Sequence, residues 1–111
     1  MDVDGFQTSL LEALSGCPFV ESVDLQTEAV IVKGRVVLDD ERFLQVYFNE
    51  RTGTTAFALI EDEQRIWGAD YDSLRGWHVH PVDRPDDHSN VEPMTPYEIV
   101  DALEDAWDRL P

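Results

Sequence analysis

The sequence predicts an α+β domain: a four- to five-stranded antiparallel meander sheet, with a short N-terminal helix and a C-terminal helix packed on one face. Apolar residues recur at helical spacing near both ends of the chain. Between residues 19 and 70, β-branched and aromatic runs alternate with polar loops of four or five residues. Loops of this length join antiparallel neighbours, because parallel strands need long crossover connections.

Both helices carry start signals. The N-terminal helix is predicted over residues 5–15 with Asp4 as its N-cap, and the C-terminal helix over residues 96–110. Thr95 and Glu98 form a capping box around a proline at the first helical position of the second helix. The positions expected to face the core are Phe6, Leu10, Leu11, Leu14, Val100, Leu103, Trp107 and Leu110.

The rest of the chain divides into strands and one long loop. Strands are predicted within residues 19–70, and residues 71–94 form a Pro- and His-rich loop that contains a short edge strand. With 111 residues, of which 42% are hydrophobic, we expect residues 1–111 to form one domain with a modest core. No apolar run approaches the ~18 residues of a membrane span, and the single Cys17 excludes an internal disulfide. These features favour a cytoplasmic location without membrane contact.

The charge balance is the strongest compositional signal. The chain has 24 acidic and 8 basic residues, a net charge of −16, and the acids are spread along its length. Such a surface repels itself in dilute buffer, but at about 1 M salt the Debye length falls to about 3 Å. The composition therefore predicts a halophilic protein. It does not exclude a nucleic-acid ligand, because salt screens phosphate repulsion as well.

The candidate site is the segment Gly76–Pro81. If this segment is extended, His78 and His80 share one face of a strand, while Trp77 lies on the other. Two imidazoles side by side can act as a general acid and a general base near neutral pH. We therefore predict His78 and His80 as catalytic residues.

Three further residues are predicted to bind the substrate. Arg75 and Arg84 flank the histidine pair and can hold a phosphate through paired hydrogen bonds, and Trp77 offers an aromatic ring. Together with the two histidines, these residues supply the minimum for metal-independent cleavage of RNA. A nucleic acid is the expected substrate.

Two other interpretations of the histidines remain open. A His-x-His pair can bind a metal if His88, Asp70 or Asp72 supplies a third ligand. The spacing matches no specific zinc motif, so we predict neither a metal nor another cofactor. Alternatively, the histidines are structural and donate hydrogen bonds to loop carboxylates.

Several short motifs resemble the TumE-like toxin-component family of prokaryotic toxin–antitoxin systems. They are Gly34–Asp40, Phe43–Val46, Ile66–Asp70, His78–His80 and Thr95–Val100, within a stretch from Val30 to Leu103. The chain departs from the family pattern at Gly68, where an Asp is expected, and at Trp77, where a further histidine is expected. The site is thereby reduced to His78 and His80.

The resemblance implies a nuclease-like toxin that a protein antitoxin neutralises. The alternative function is a non-enzymatic module that binds a protein or forms a homodimer, with structural histidines. In that case the apolar positions along Phe43–Phe48 would form the interface.

Overall fold

The computed structural model describes residues 1–111 and contains two helices and one seven-stranded antiparallel sheet. The α+β class is confirmed, but the sheet has seven strands where the sequence predicts four or five. The elements are α1 (Val3–Ser15), β1 (Val20–Glu28), β2 (Ile31–Leu38), β3 (Phe43–Asn49), β4 (Thr55–Glu61), β5 (Gln64–Asp72), β6 (Gly76–His80), β7 (Ser89–Asn90) and α2 (Pro96–Asp108). The strand order is β1 to β7, a continuous meander.

Much of the difference in strand number lies in residues 71–94, which the sequence predicts as a loop with one short edge strand. β5 continues to Asp72, whose carboxylate accepts the backbone N–H groups of Leu74 and Arg75 at 2.9 and 2.8 Å. This turn, together with Gly76 at φ +71°, reverses the chain into β6. The two-residue strand β7 then pairs with β6. A two-residue strand is too short to show alternation of polar and apolar residues in the sequence, so it is defined only by its pairing with β6.

The helix ends differ little from their predicted positions. Asp2 rather than Asp4 is the N-cap of α1, because its carboxylate accepts the N–H of Gly5 at 2.7 Å. Both bonds of the capping box of α2 are present, between Thr95 and Glu98. Neither helix is long and apolar enough to cross a membrane.

Both helices pack on the same face of the sheet, which we call the helix-covered face. Phe6 of α1 stacks on Phe48 of β3 with ring centroids 4.2 Å apart. Trp107 of α2 stacks on Phe19, which precedes β1, at 4.0 Å. One core joins these rings to the inward residues of β2 to β5, and its fully buried members include Phe57, Leu59 and Leu103.

Neither helix covers the opposite face, which we call the open face. The sheet register aligns its side chains in two rows that run across five strands. The first row is Lys33, Tyr47, Ala56, Asp70 and His78, and the second is Arg35, Gln45, Ala58, Gly68 and His80. The predicted histidine pair therefore ends two rows of side chains that begin with basic residues on β2.

Candidate functional site

Three side chains converge where the two rows end. Asp70 on β5 is the cross-strand partner of His78 on β6, and His80 lies on the same face two residues further on. The Oδ2 atom of Asp70 lies 3.0 Å from His80 Nε2 and 3.5 Å from His78 Nε2. Both histidines are buried, with 2% and 5% of their surface exposed. We call Asp70, His78 and His80 the Asp–His cluster.

Backbone carbonyls fix the orientation of both imidazole rings. His78 Nδ1 donates to the carbonyl of Gly76 and His80 Nδ1 to that of Pro85, each at 3.2 Å. A neutral imidazole that donates from Nδ1 carries a lone pair on Nε2. In both rings Nε2 faces the carboxylate of Asp70, which is also an acceptor. The three side chains thus direct acceptor atoms towards one another, an arrangement that can hold a metal ion.

Gly68 makes room for the ring of His80. A Cβ atom at Gly68 would lie 3.3 Å from His80 Cδ2 and 3.0 Å from the carbonyl oxygen of Phe57. Such contacts are tighter than ordinary van der Waals packing, so a larger residue would displace the imidazole. Gly68 thus has a steric role in this structure, because it lets His80 lie across β5.

A cavity of about 290 Å³ opens beside the cluster. Arg65 and Arg75 line it together with all three cluster residues. Arg75 follows the turn in which Asp72 accepts two backbone N–H groups, and these bonds, chiefly that from Arg75, lower the pKa of the Asp72 carboxyl. The predicted residue Arg75 therefore lies at the site, on a turn that the carboxylate of Asp72 stabilises.

The other predicted residues lie in different surroundings. Arg84 is exposed and pairs with Asp87 at 3.7 Å on the loop after β6. Trp77 packs against the core on the helix-covered face, where it contacts Tyr71 at a centroid distance of 5.4 Å. Trp77 lines a separate cavity of about 390 Å³. Neither residue lines the cavity beside His78 and His80.

His88 approaches the cluster from the loop. Its ring centroid lies 5.6 Å from that of His78 and 6.0 Å from that of His80, whereas those two rings are 5.2 Å apart. All three histidines of the chain are therefore neighbours. His88 itself is exposed, and its nitrogens lie outside the group of atoms, within 4.8 Å of one another, that Asp70, His78 and His80 form.

Sequence reasoning misses Arg65, and a β-bulge explains the omission. Leu59 pairs with Trp67, but the next residue, Ile60, pairs with Arg65, so Ile66 is the extra residue. Simple alternation would place Arg65 on the same face as Trp67, towards the helices. The bulge moves Arg65 to the open face, and a bulge follows from cross-strand pairing that no local pattern of β5 reveals.

No protein-family model, curated protein or solved structure matches this chain.

Proposed function

We propose that this protein binds single-stranded nucleic acid on its open face and cleaves the phosphodiester backbone at the Asp–His cluster, as the toxin-like component of a toxin–antitoxin pair. One observation carries the proposal: two rows of side chains that begin with basic residues on the open face lead to a cavity lined by two imidazoles, two carboxylates and two arginines.

The distribution of basic residues supports binding of a phosphate backbone. Lys33, Arg35 and Arg65 lie on the open face and Arg75 at its edge, which accounts for half of the 8 basic residues in a chain of net charge −16. Lys33 contacts Glu28 at 3.9 Å, but both side chains are exposed and such a pair is weak. The open face therefore gathers half of the basic residues of this acidic protein.

The shape of the open face supports an extended ligand. Ala56, Ala58 and Gly68 form a shallow trough across β4 and β5, between Tyr47 on β3 and the Asp–His cluster. The two rows of side chains that contain this trough run from β2 to β6, across four strand spacings of about 4.8 Å, or roughly 19 Å. Arg35 lies over the ring of Phe43 at 4.5 Å, which gives one end a flat cationic surface. Bases of a single strand stack on such surfaces without sequence preference.

The cavity supports cleavage at the other end of the trough. Arg65 and Arg75 would hold the phosphate through charge-assisted hydrogen bonds. One imidazole of the cluster takes a proton from a water molecule whose oxygen attacks phosphorus and forms a new P–O bond. The P–O bond to one sugar breaks, and the leaving sugar oxygen takes a proton from the other imidazole. Cleavage of cellular RNA would stop growth, and an antitoxin that covers the open face would prevent it.

Binding is tested by fluorescence anisotropy with a labelled single-stranded RNA at about 1 M KCl, where long-range charge repulsion is screened. We expect Arg35→Ala and Tyr47→Ala each to weaken binding about tenfold, in line with about 1–3 kcal/mol per stacked base. Arg109→Ala and Tyr97→Ala are matched controls, because these residues belong to α2 and its C-cap on the other side of the sheet. Equal losses in the controls, or no binding by the wild type, would refute the proposal.

Cleavage is tested with the same RNA and by growth after induced expression. The wild type is expected to cut the RNA and to inhibit growth, and His78→Ala, His80→Ala and Asp70→Asn to do neither. Circular dichroism must show that the variants remain folded. Growth that the wild type does not affect would contradict the toxin part of the proposal, and intact RNA would contradict the nuclease part.

A second candidate function is a homodimerising or protein-binding module with structural histidines. It is favoured by the internal hydrogen bonds of both imidazoles and by the half-buried Phe43, Tyr47 and Ile60 on the open face. Sedimentation analysis tests the homodimer: it requires a dimer that Tyr47→Glu dissociates, whereas a nucleic-acid-binding monomer sediments at about 12.7 kDa with or without the substitution.

A further inference from the structure

We propose that Asp70, His78 and His80 bind one Zn²⁺ ion through His78 Nε2, His80 Nε2 and a carboxylate oxygen of Asp70, and that the fourth position faces the adjacent cavity. Zinc binding is separate from the proposed nuclease function, because the geometry of three side chains supports it whatever ligand the open face takes.

The spacing of the ligand atoms fits a tetrahedral zinc ion. With Zn–N and Zn–O distances of about 2.0–2.2 Å, two ligand atoms of a tetrahedral site lie about 3.3–3.5 Å apart. Asp70 Oδ2 lies 3.0 Å from His80 Nε2 and 3.5 Å from His78 Nε2, and all three ligand atoms lie within 4.8 Å of one another. Both distances from Asp70 Oδ2 therefore lie within a few tenths of an ångström of the tetrahedral value.

The hydrogen bonds made by the other nitrogen of each imidazole are those typical of a metal site. Metal-bound histidines usually donate their other ring N–H to a carbonyl or carboxylate, which fixes the ring and its tautomer. Here both Nδ1 atoms donate to backbone carbonyls, those of Gly76 and Pro85. Both Nε2 lone pairs are thereby directed at the position that the ion would occupy.

A divalent ion would satisfy all three ligand atoms at once. Both Nε2 atoms face one carboxylate oxygen of Asp70, and the two imidazole rings are almost fully buried with centroids 5.2 Å apart. A metal ion at this position would join two neutral imidazoles and one carboxylate at a single point, away from bulk water.

The donor set selects the class of ion. Two imidazole nitrogens suit Zn²⁺ and the neighbouring transition metals, whereas Mg²⁺ and Ca²⁺ prefer oxygen ligands. Three protein ligands with one open position are typical of catalytic zinc sites, in which the ion lowers the pKa of a bound water. The cavity beside the open position contains Arg65 and Arg75, so an anionic ligand is the one it would admit.

The test is a zinc titration of tag-free protein that has been dialysed against EDTA, in competition with a chromophoric chelator. We expect one tight site, with affinity at least about 100-fold weaker in Asp70→Asn and in His80→Gln, since even loss of an outer-shell partner costs about 10–100-fold. Asp24→Asn is the matched control, because it makes the same change on the open face at β1 and should leave affinity unchanged. His88→Ala should also retain the tight site.

Cobalt provides a second measurement that does not depend on the variants. Co²⁺ in a four-coordinate site should give visible absorption that saturates at one equivalent and disappears when Zn²⁺ is added. The proposal is overturned if the wild type binds no stoichiometric Zn²⁺, or if folded Asp70→Asn and His80→Gln retain wild-type affinity. Zinc binding without RNA cleavage would refute only the proposed nuclease, and cleavage in EDTA without zinc binding would refute only the metal site.

Discussion

The two faces of the sheet are formed by the same strands, but one packs into the core and the other carries the candidate site. On the helix-covered face, Phe57, Leu59 and Leu103 are completely buried in one core. On the open face, the same strands present Ala58, Asp70 and His78, and no helix covers them. Period-two alternation lets one set of strands build a dry core and a polar site independently. Substitutions on the helix-covered face should therefore change stability, and those on the open face should change ligand binding.

The largest stability effect is expected for Leu59→Ala. Leu59 is fully buried in the core, and this substitution removes apolar contacts and leaves a cavity that costs about 2–5 kcal/mol of unfolding free energy. Its neighbour Ile60 points to the open face and is only half-buried, so Ile60→Ala should cost less than half as much. Urea unfolding of both variants measures the difference. Equal losses would mean that the open face is covered in solution.

The next largest effect is expected for Gly34→Ala in β2. A Cβ atom here would lie 2.0 Å from the carbonyl oxygen of Asp24 in the neighbouring strand. Since backbone must move to relieve this clash, we expect a loss of about 1–3 kcal/mol or more. Gly16→Ala is the control, because the nearest atom to its Cβ would be at 3.8 Å. Thermal unfolding of the two variants would contradict the prediction if their midpoints agreed.

Gly68→Ala tests whether the open face can be changed alone. Its Cβ atom would press on the ring of His80 at 3.3 Å and on the carbonyl oxygen of Phe57 at 3.0 Å. We expect about 1–2 kcal/mol of destabilisation from this overpacking, together with a loss of zinc affinity of about tenfold or more. A variant that loses stability but keeps wild-type zinc affinity would show that the ring of His80 does not position the metal.

Removal of the cap of α2 should have a smaller effect and leave the site unchanged. Thr95→Ala removes the side-chain oxygen that accepts the N–H of Glu98, at a cost of about 1 kcal/mol. Thr95→Ser retains that oxygen and is the control. Urea unfolding should detect the loss in the alanine variant, whereas RNA binding and zinc affinity should match those of the wild type.

Titration of the Cys17 thiol should leave the free energy of unfolding unchanged near neutral pH and lower it in alkali. Burial raises the pKa of its thiol from 9.0 to about 11. The unfolded thiol releases its proton first, so the stability from this group is complete below pH 9.0 and is lost as the pH rises towards about 11. Urea unfolding across this range should show a steeper decline for the wild type than for Cys17→Ala. Parallel curves would contradict the assignment.

Local sequence signals are sufficient for much of the fold. The capping box at Thr95 and Glu98 is present as predicted, because its hydrogen bonds join residues three apart in the chain. His78 and His80 share a face because alternation is a local property of a strand. The sheet has seven strands where four or five are predicted, and one of the additional strands, β7, has only two residues and depends on its pairing with β6.

The candidate site was only partly predictable. The segment Gly76–Pro81 already indicates two imidazoles on one face, but the selection of Asp70 over Asp72 and His88 depends on the register of β5 against β6. Arg65 reaches the open face only through the bulge at Ile66. Arg84 is much closer to the histidines in sequence than Arg65, but it pairs with Asp87 on the loop after β6.

The sequence by itself determined the α+β class, the two helices, the acidic surface and the shared face of His78 and His80, because each follows from composition or from contacts a few residues apart. Only the tertiary structure decided that Asp70 joins both imidazoles, that Gly68 makes room for one of them, and that the basic residues of β2 lie in the same rows. These relations depend on the pairing of strands that are distant along the chain. Pairing register is set by the packing of the whole sheet.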